Sequence, residues 1–171
     1  GGFRMKQDNI EDVYELSPMQ QGMLFHTLAA PRSGVYFEQH CYTLQTNLNI
    51  SVFKKAWQRI IERHPILRTS FYWENLDKPY QVVYRQVELP WEFRDWRELP
   101  SQEQQAQLEI FLENDREYGF VLSHAPLIRL TLIRIGEDTY HFVFRHHHIL
   151  MEGWSITWLW KEFYGFYYAF C

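Results

Sequence analysis

Two cysteines, Cys41 and Cys171, are all that 171 residues contain. They supply no disulfide framework, which argues against a stapled secreted scaffold and for a reducing, cytoplasmic setting. No Lys/Arg-rich run occurs and the formal net charge is −4, so a nucleic-acid partner is not expected. No apolar stretch reaches ~20 residues without polar interruption, which argues against a membrane span. No signal peptide, internal repeat or low-complexity tract is visible.

Large rings, by contrast, abound: 7 Trp, 11 Tyr and 13 Phe. They predict a well-buried core, together with apolar surface that something else normally covers. The length suits one domain. Residues 1–13 are polar and read as a linker or cloning remnant. The end at Tyr168-Ala169-Phe170-Cys171 falls inside an aromatic helical pattern without a polar cap, and reads as a cut.

The chemistry concentrates in His146-His147-His148-Ile149-Leu150-Met151-Glu152-Gly153. Thr139 to Arg145 alternates and is rich in β-formers, so it predicts a strand. Ile156 to Phe170 predicts a helix. The histidines thus sit where a strand ends and a turn begins, a place where a rigid element can expose a reactive group. Near neutral pH an imidazole can accept a proton, donate one, or hold another group by a hydrogen bond. In extended backbone His147 and His148 point to opposite sides, so one can face a cleft while the other braces the turn. Glu152 can neutralise a cation or orient an imidazole, and Gly153 permits a tight turn or a close ligand. A metal site is disfavoured, because alternation sends neighbouring histidines apart and no Cys or His-x-x-x-His spacing follows. A purely structural polar cluster at a strand end is the competing reading.

Taken in order, the chain predicts a helix opened by Ser17-Pro18-Met19-Gln20 as a capping box, with Met19, Met23, Leu24 and Leu28 near helical spacing. Val35 to Gln45 reads as a strand and Val52 to Arg63 as a helix that His64-Pro65 stops. Ile66 to Trp73 reads as a strand containing Arg68, a charge that either has a partner or sits at a solvent edge. A turn at Asn75 to Pro79 leads to a return strand over Tyr80 to Arg85. Trp91 to Trp96 reads as a short aromatic strand or extended loop, and Ser101 with Gln104 as a second capping box opening a helix to about Glu117. Ala125 to Arg134 reads as a strand turning at Gly136-Glu137-Asp138. This order suggests an α/β fold with a mixed sheet covered by helices in a two-layer sandwich.

Three segments, in order, resemble the condensation domains of non-ribosomal peptide synthetases. Leu16-Ser17-Pro18-Met19-Gln20-Gln21-Gly22-Met23-Leu24-Phe25-His26 resembles their opening motif, and Arg63-His64-Pro65-Ile66-Leu67-Arg68-Thr69-Ser70-Phe71 their second. His147-His148-Ile149-Leu150-Met151-Glu152-Gly153 is similar to their His-His-x-x-x-Asp-Gly signature. Gly119-Phe120 through Ala125-Pro126-Leu127-Ile128-Arg129 also resembles a stretch of the family. The resemblance implies a chloramphenicol acetyltransferase-like lobe over residues 14–171, the N-terminal one of two that face each other across a channel. The C-terminal lobe is absent from this sequence.

The implied reaction joins a donor thioester to the amine of an acceptor thioester. Both hang on phosphopantetheine arms of upstream and downstream carrier domains, with no cofactor bound directly. By the same resemblance His148 faces the channel as the catalytic imidazole and His147 braces the loop. Gly153 lets backbone N–H groups approach a developing oxyanion, and Glu152, where the family has Asp, pairs with Arg68. The fragment alone is expected to be inactive. A catalytically silent docking module for carrier domains and an epimerisation domain are the alternatives, with a stand-alone acetyltransferase behind them.

Overall fold

The computed structural model describes residues 8–31, 33–152 and 155–171, apart from the side chains of Met151 and Glu152. Two sheets form. One is a three-stranded antiparallel sheet of β1 (Ile10–Glu15), β3 (Thr69–Tyr72) and β4 (Tyr80–Tyr84), in the order β1-β4-β3. The other contains β2 (Phe37–Gln45), β5 (Trp91–Asp95), β6 (Ile128–Arg134) and β7 (Thr139–His147), in the order β2-β7-β6-β5. Its β5–β6 pair is parallel and the rest antiparallel, so this sheet is mixed. Among the described residues the longer helices are α1 (Pro18–Ala29), α2 (Ile50–Arg63), α3 (Ser101–Tyr118) and α4 (Ile156–Phe170). No described helix is long and apolar enough to cross a membrane.

Alternation along β7 decides what each face of the mixed sheet meets. Phe142 and Phe144 point to one side, where Trp57 of α2 lies 5.6 and 5.4 Å from their rings and Phe163 of α4 stacks on Trp57 at 5.1 Å. Phe53 adds an edge-on contact to Phe142 at 5.0 Å. Such ring pairs contribute roughly 0.5–1.5 kcal/mol each beyond the area they bury. Val143 and Ile133 point to the other side and pack with Leu108 of α3. Helices therefore cover both faces of this sheet.

Beneath α3 the residue two further along β7 from Val143 is charged. Arg145 is 4 % exposed, its Nε lies 3.0 Å from Asp115 Oδ2, and its Nη1 donates to Thr131 Oγ1 at 2.9 Å. Asp115 also accepts from Arg129 Nη2 at 2.9 Å and from Gln39 Nε2 at 2.9 Å. Burial draws Arg145 down to about 10, and the Asp115 carboxylate opposes that shift. This cluster explains the run from Gly119 to Arg129. Gly119 takes φ +60° to end α3, a left-handed value that glycine adopts without steric cost. Its carbonyl then accepts from Arg129, whose guanidinium lies 4.4 Å over the Phe120 ring.

Three expectations need correction. The polar segment read as a linker over 1–13 contains most of β1, from Ile10. It is an edge strand whose residues after Ile10 face solvent, so composition hides it. The strand expected over Ile66 to Trp73 begins only at Thr69. Pro65–Arg68 is a 3-10 turn in which Leu67 N–H donates to His64 O at 3.0 Å, because proline at the first helical position favours a tight turn. The capping box at Ser101 and Gln104 does not form. Pro100 caps α3, and Gln104 Nε2 donates to Trp96 O at 2.8 Å and Ile135 O at 3.0 Å. The box at Ser17 does form: Ser17 Oγ accepts from Gln20 N–H at 3.2 Å and Gln20 Oε1 from Ser17 N–H at 3.0 Å.

Removing one member of a buried charge cluster strands the rest. Asp115→Ala should cost about 3–5 kcal/mol in urea unfolding. A loss below about 1 kcal/mol, the usual worth of a surface ion pair, would show that Asp115 holds nothing together.

Candidate functional site

The site is assembled by one pairing. β2 and β7 run antiparallel with Phe37 opposite His147, Glu38 opposite His146 and His40 opposite Phe144. Glu38, His40 and His146 therefore share the face that carries Phe142 and Phe144, while His147 shares the Arg145 face. After His147 the backbone enters a 3-10 turn, His148–Glu152. His148 N–H donates to Tyr36 O at 2.7 Å, so the strand pairing still fixes the first residue of the turn.

The two histidines of the signature have different environments. His147 is 4 % exposed, and its Nδ1 accepts from Ile149 N–H at 3.0 Å. That bond satisfies a backbone donor of the turn. Burial pushes its pKa down to about 4, helped by the neighbouring His148 and His146. His148 has a side chain 39 % exposed, and its Nδ1 lies 2.5 Å from Glu38 Oε1. A carboxylate accepts but cannot donate, so the shared hydrogen belongs to Nδ1 and the neutral ring keeps an acceptor lone pair at Nε2. His146 is 1 % exposed, with Nε2 3.4 Å from Glu38 Oε2. Burial lowers its pKa to about 4 against the pull of Glu38.

The first motif reaches this turn through Tyr36, and the second fastens elements around it. Ser17 and Gln20 start α1, whose His26 Nδ1 lies 3.0 Å from the Tyr36 hydroxyl. The Tyr36 ring stands 6.2 Å from His148 and 5.9 Å from His147. In the second motif His64 and Arg63 both engage Glu162 of α4, Arg63 at 3.3 Å. Arg68 is buried, not a solvent-edge cation. Its Nε donates to Ile61 O at 3.1 Å and its Nη1 to Glu11 Oε2 at 3.2 Å and to Tyr84 O. Arg68 thus ties α2 to the edge strand β1. Its expected partner side chain on Glu152, and Gly153 altogether, lie outside the described residues.

Glu38 was not among the expected site residues. Its only signal is the alternation Glu38-x-His40 on a strand otherwise bound for a core. Its relation to His148, 110 residues away, depends on register.

Among the described residues, an imidazole at a strand end has a carboxylate on one ring nitrogen and no partner on the other, an arrangement that can hold or move a proton. The sequence matches the Condensation domain family over residues 10–170, and the chain belongs to that family. It is 46 % identical over 160 residues to a linear gramicidin synthase chain of Brevibacillus parabrevis, covering 94 % of this chain and 3 % of that protein. It is 37 % identical over 153 residues to bacitracin synthase 3 of Bacillus licheniformis, covering 90 % of this chain and 2 % of that one. In fold it is similar to a double variant of the starter condensation domain of the rhizomide synthetase RzmA. The TM-score is 0.82 at 20 % identity, over 94 % of this chain and 38 % of that one. The expected chloramphenicol acetyltransferase-like α/β fold is thereby shown. The chain spans a small fraction of the synthetases it matches.

The depressed pKa of His147 fixes a pH dependence. The unfolded chain takes a proton near 6.5 and the folded one only near 4, so the unfolded state binds more protons in between. Stability should fall as pH drops from 6.5 to 4, by on the order of 3 kcal/mol for this residue. His147→Asn keeps an acceptor for Ile149 N–H and cannot titrate, so it should reduce the slope measured in urea titrations at several pH values, His146 with its similar shift supplying the remainder. An unchanged slope would show that His147 is not the group responsible.

Proposed function

We propose that this chain is the N-terminal lobe of a peptide-bond-forming condensation domain, with His148 as its catalytic imidazole. The observation that carries this reading is the His148 ring itself, partly exposed at the lobe surface and held at Nδ1 by Glu38. The substrates are a donor acyl or peptidyl thioester and an acceptor aminoacyl thioester, each delivered on the phosphopantetheine arm of a carrier domain. A C-terminal lobe closes the channel, and the adjacent synthetase domains supply the carriers. Trp158, Tyr164 and Tyr168 of α4 are exposed, which supports a covering partner.

In the reaction the acceptor nitrogen bonds to the donor carbonyl carbon, the C–S bond breaks, and the amine's proton ends on the departing sulfur. Glu38 fixes the ring so that Nε2 offers its lone pair to the amine. There it holds the nucleophile in line or takes its proton. Orientation alone supplies several kcal/mol of such a barrier, and proton transfer adds typically ~10²–10⁴-fold. Glu152 and Gly153 belong to the same proposal. The roles the family resemblance implies for them are an acidic partner for Arg68 and a backbone N–H donor to the oxyanion.

The test joins this lobe to a C-terminal lobe and measures dipeptidyl product from loaded carriers. His148→Ala should lose roughly 10²–10⁴-fold in turnover. Glu38→Ala should lower kcat by roughly 10²-fold, the effect of misplacing a reacting group by ~1 Å, with KM little changed. Equal turnover of wild type and His148→Ala would reject the catalytic assignment in favour of a docking role.

A further inference from the structure

The alternation argument separates neighbouring histidines within one strand, but it says nothing of what the adjacent strand brings. β2 places Glu38 directly opposite His146 and His40 two residues further along the same face. One atom from each of the three, two imidazole nitrogens and a carboxylate oxygen, lies within 4.8 Å of the other two. Glu38 Oε2 is 3.4 Å from His146 Nε2 and 3.8 Å from His40 Nε2. The His40 and His146 rings stack 13° from parallel with centroids 5.6 Å apart.

We propose that Glu38, His40 and His146 form a binding site for a divalent transition-metal ion of the zinc class. Two imidazoles and a carboxylate are a donor set this class takes, with metal–ligand bonds of about 2.0–2.2 Å. Tetrahedral bonds of that length put the ligand atoms roughly 3.3 Å apart. The two Glu38 separations are near that value, and the two imidazole nitrogens lie within 4.8 Å of each other, so ligation asks the near-parallel rings to turn towards a common point. The three residues project from paired strands, which hold ligands better than a loop does.

Charge agrees. Among the described residues the ion pairs of Glu38 are all with imidazoles, so no Lys or Arg competes for the carboxylate. His40 Nε2 is shielded from solvent and makes no hydrogen bond within the described structure. The side chains of Glu38 and His40 are 33 % and 34 % exposed, so the cluster lies near the surface although the Nε2 atoms of both imidazoles are covered. Glu38 Oε1 meanwhile stays on His148 Nδ1. One carboxylate would then bridge the ion and the His148 ring.

The experiment titrates Co(II) into the untagged 171-residue chain and follows the visible d–d absorption of a low-coordinate complex, with Zn(II) as competitor. Wild type should bind one ion per chain and lose the band when Zn(II) is added. His40→Ala, and separately Glu38→Gln, should bind at least ~10-fold more weakly, with folding checked by circular dichroism. His141→Ala, altered at the far end of β7, should bind as wild type does. Absence of a saturable band, or equal affinity in His40→Ala, Glu38→Gln and wild type, overturns the site. The readout is metal binding, so its failure leaves the amide-forming assignment untouched, and the failure of that assignment leaves this one standing.

Discussion

The pairing of β2 with β7 is the constraint on which the site depends. Its register, Phe37 opposite His147 through Gln45 opposite Thr139, decides which face each histidine meets. Slipping by one residue would send Glu38 to the Arg145 face and leave His148 without its carboxylate. The register is pinned on both sides of the sheet. Phe142 and Phe144 are held against Trp57, and Arg145 is held by Asp115 and Thr131. Core packing and the buried charge cluster therefore also fix the geometry of the site.

The family's motifs divide their labour around that pairing. His148 alone carries the proposed chemistry. His147 satisfies the backbone N–H of Ile149, and His26 reaches the tyrosine that stands beside both rings. Arg63 and His64 fasten α2 to α4 through Glu162, while Arg68 fastens α2 to β1 through Glu11. Most of the recognisable residues thus act as ties between elements. An imidazole whose Nδ1 is already engaged needs its ring direction fixed, because only Nε2 remains to meet a substrate.

Much of this was legible where the signal is local. The period-2 pattern of Thr139 to Arg145 specified β7, and Ser17 with Gln20 specified the start of α1. The opposite facing of His147 and His148 followed from the pleat. What stayed hidden depends on distant partners or on solvent. β1 is an edge strand whose residues after Ile10 all face solvent, so no buried alternation marked it off from a linker. Arg68 looked like a strand residue because the 3-10 turn that Pro65 opens leaves no periodic trace. Glu38 and His40 were invisible as site residues because their meaning comes from the strand opposite. Ser101 and Gln104 had the spacing of a capping box, yet Gln104 is engaged by Trp96 and Ile135 across the helix start.

The central claim is that Glu38 holds the hydrogen of the neutral His148 ring at Nδ1 and frees Nε2. Long-range ¹⁵N–¹H correlation spectra of the histidine-labelled chain read that tautomer directly. The account predicts a protonated Nδ1 and an unprotonated Nε2 for His148 in the wild type, with that preference lost in Glu38→Ala. A His148 ring carrying its hydrogen on Nε2, or a tautomer indifferent to Glu38, would contradict it.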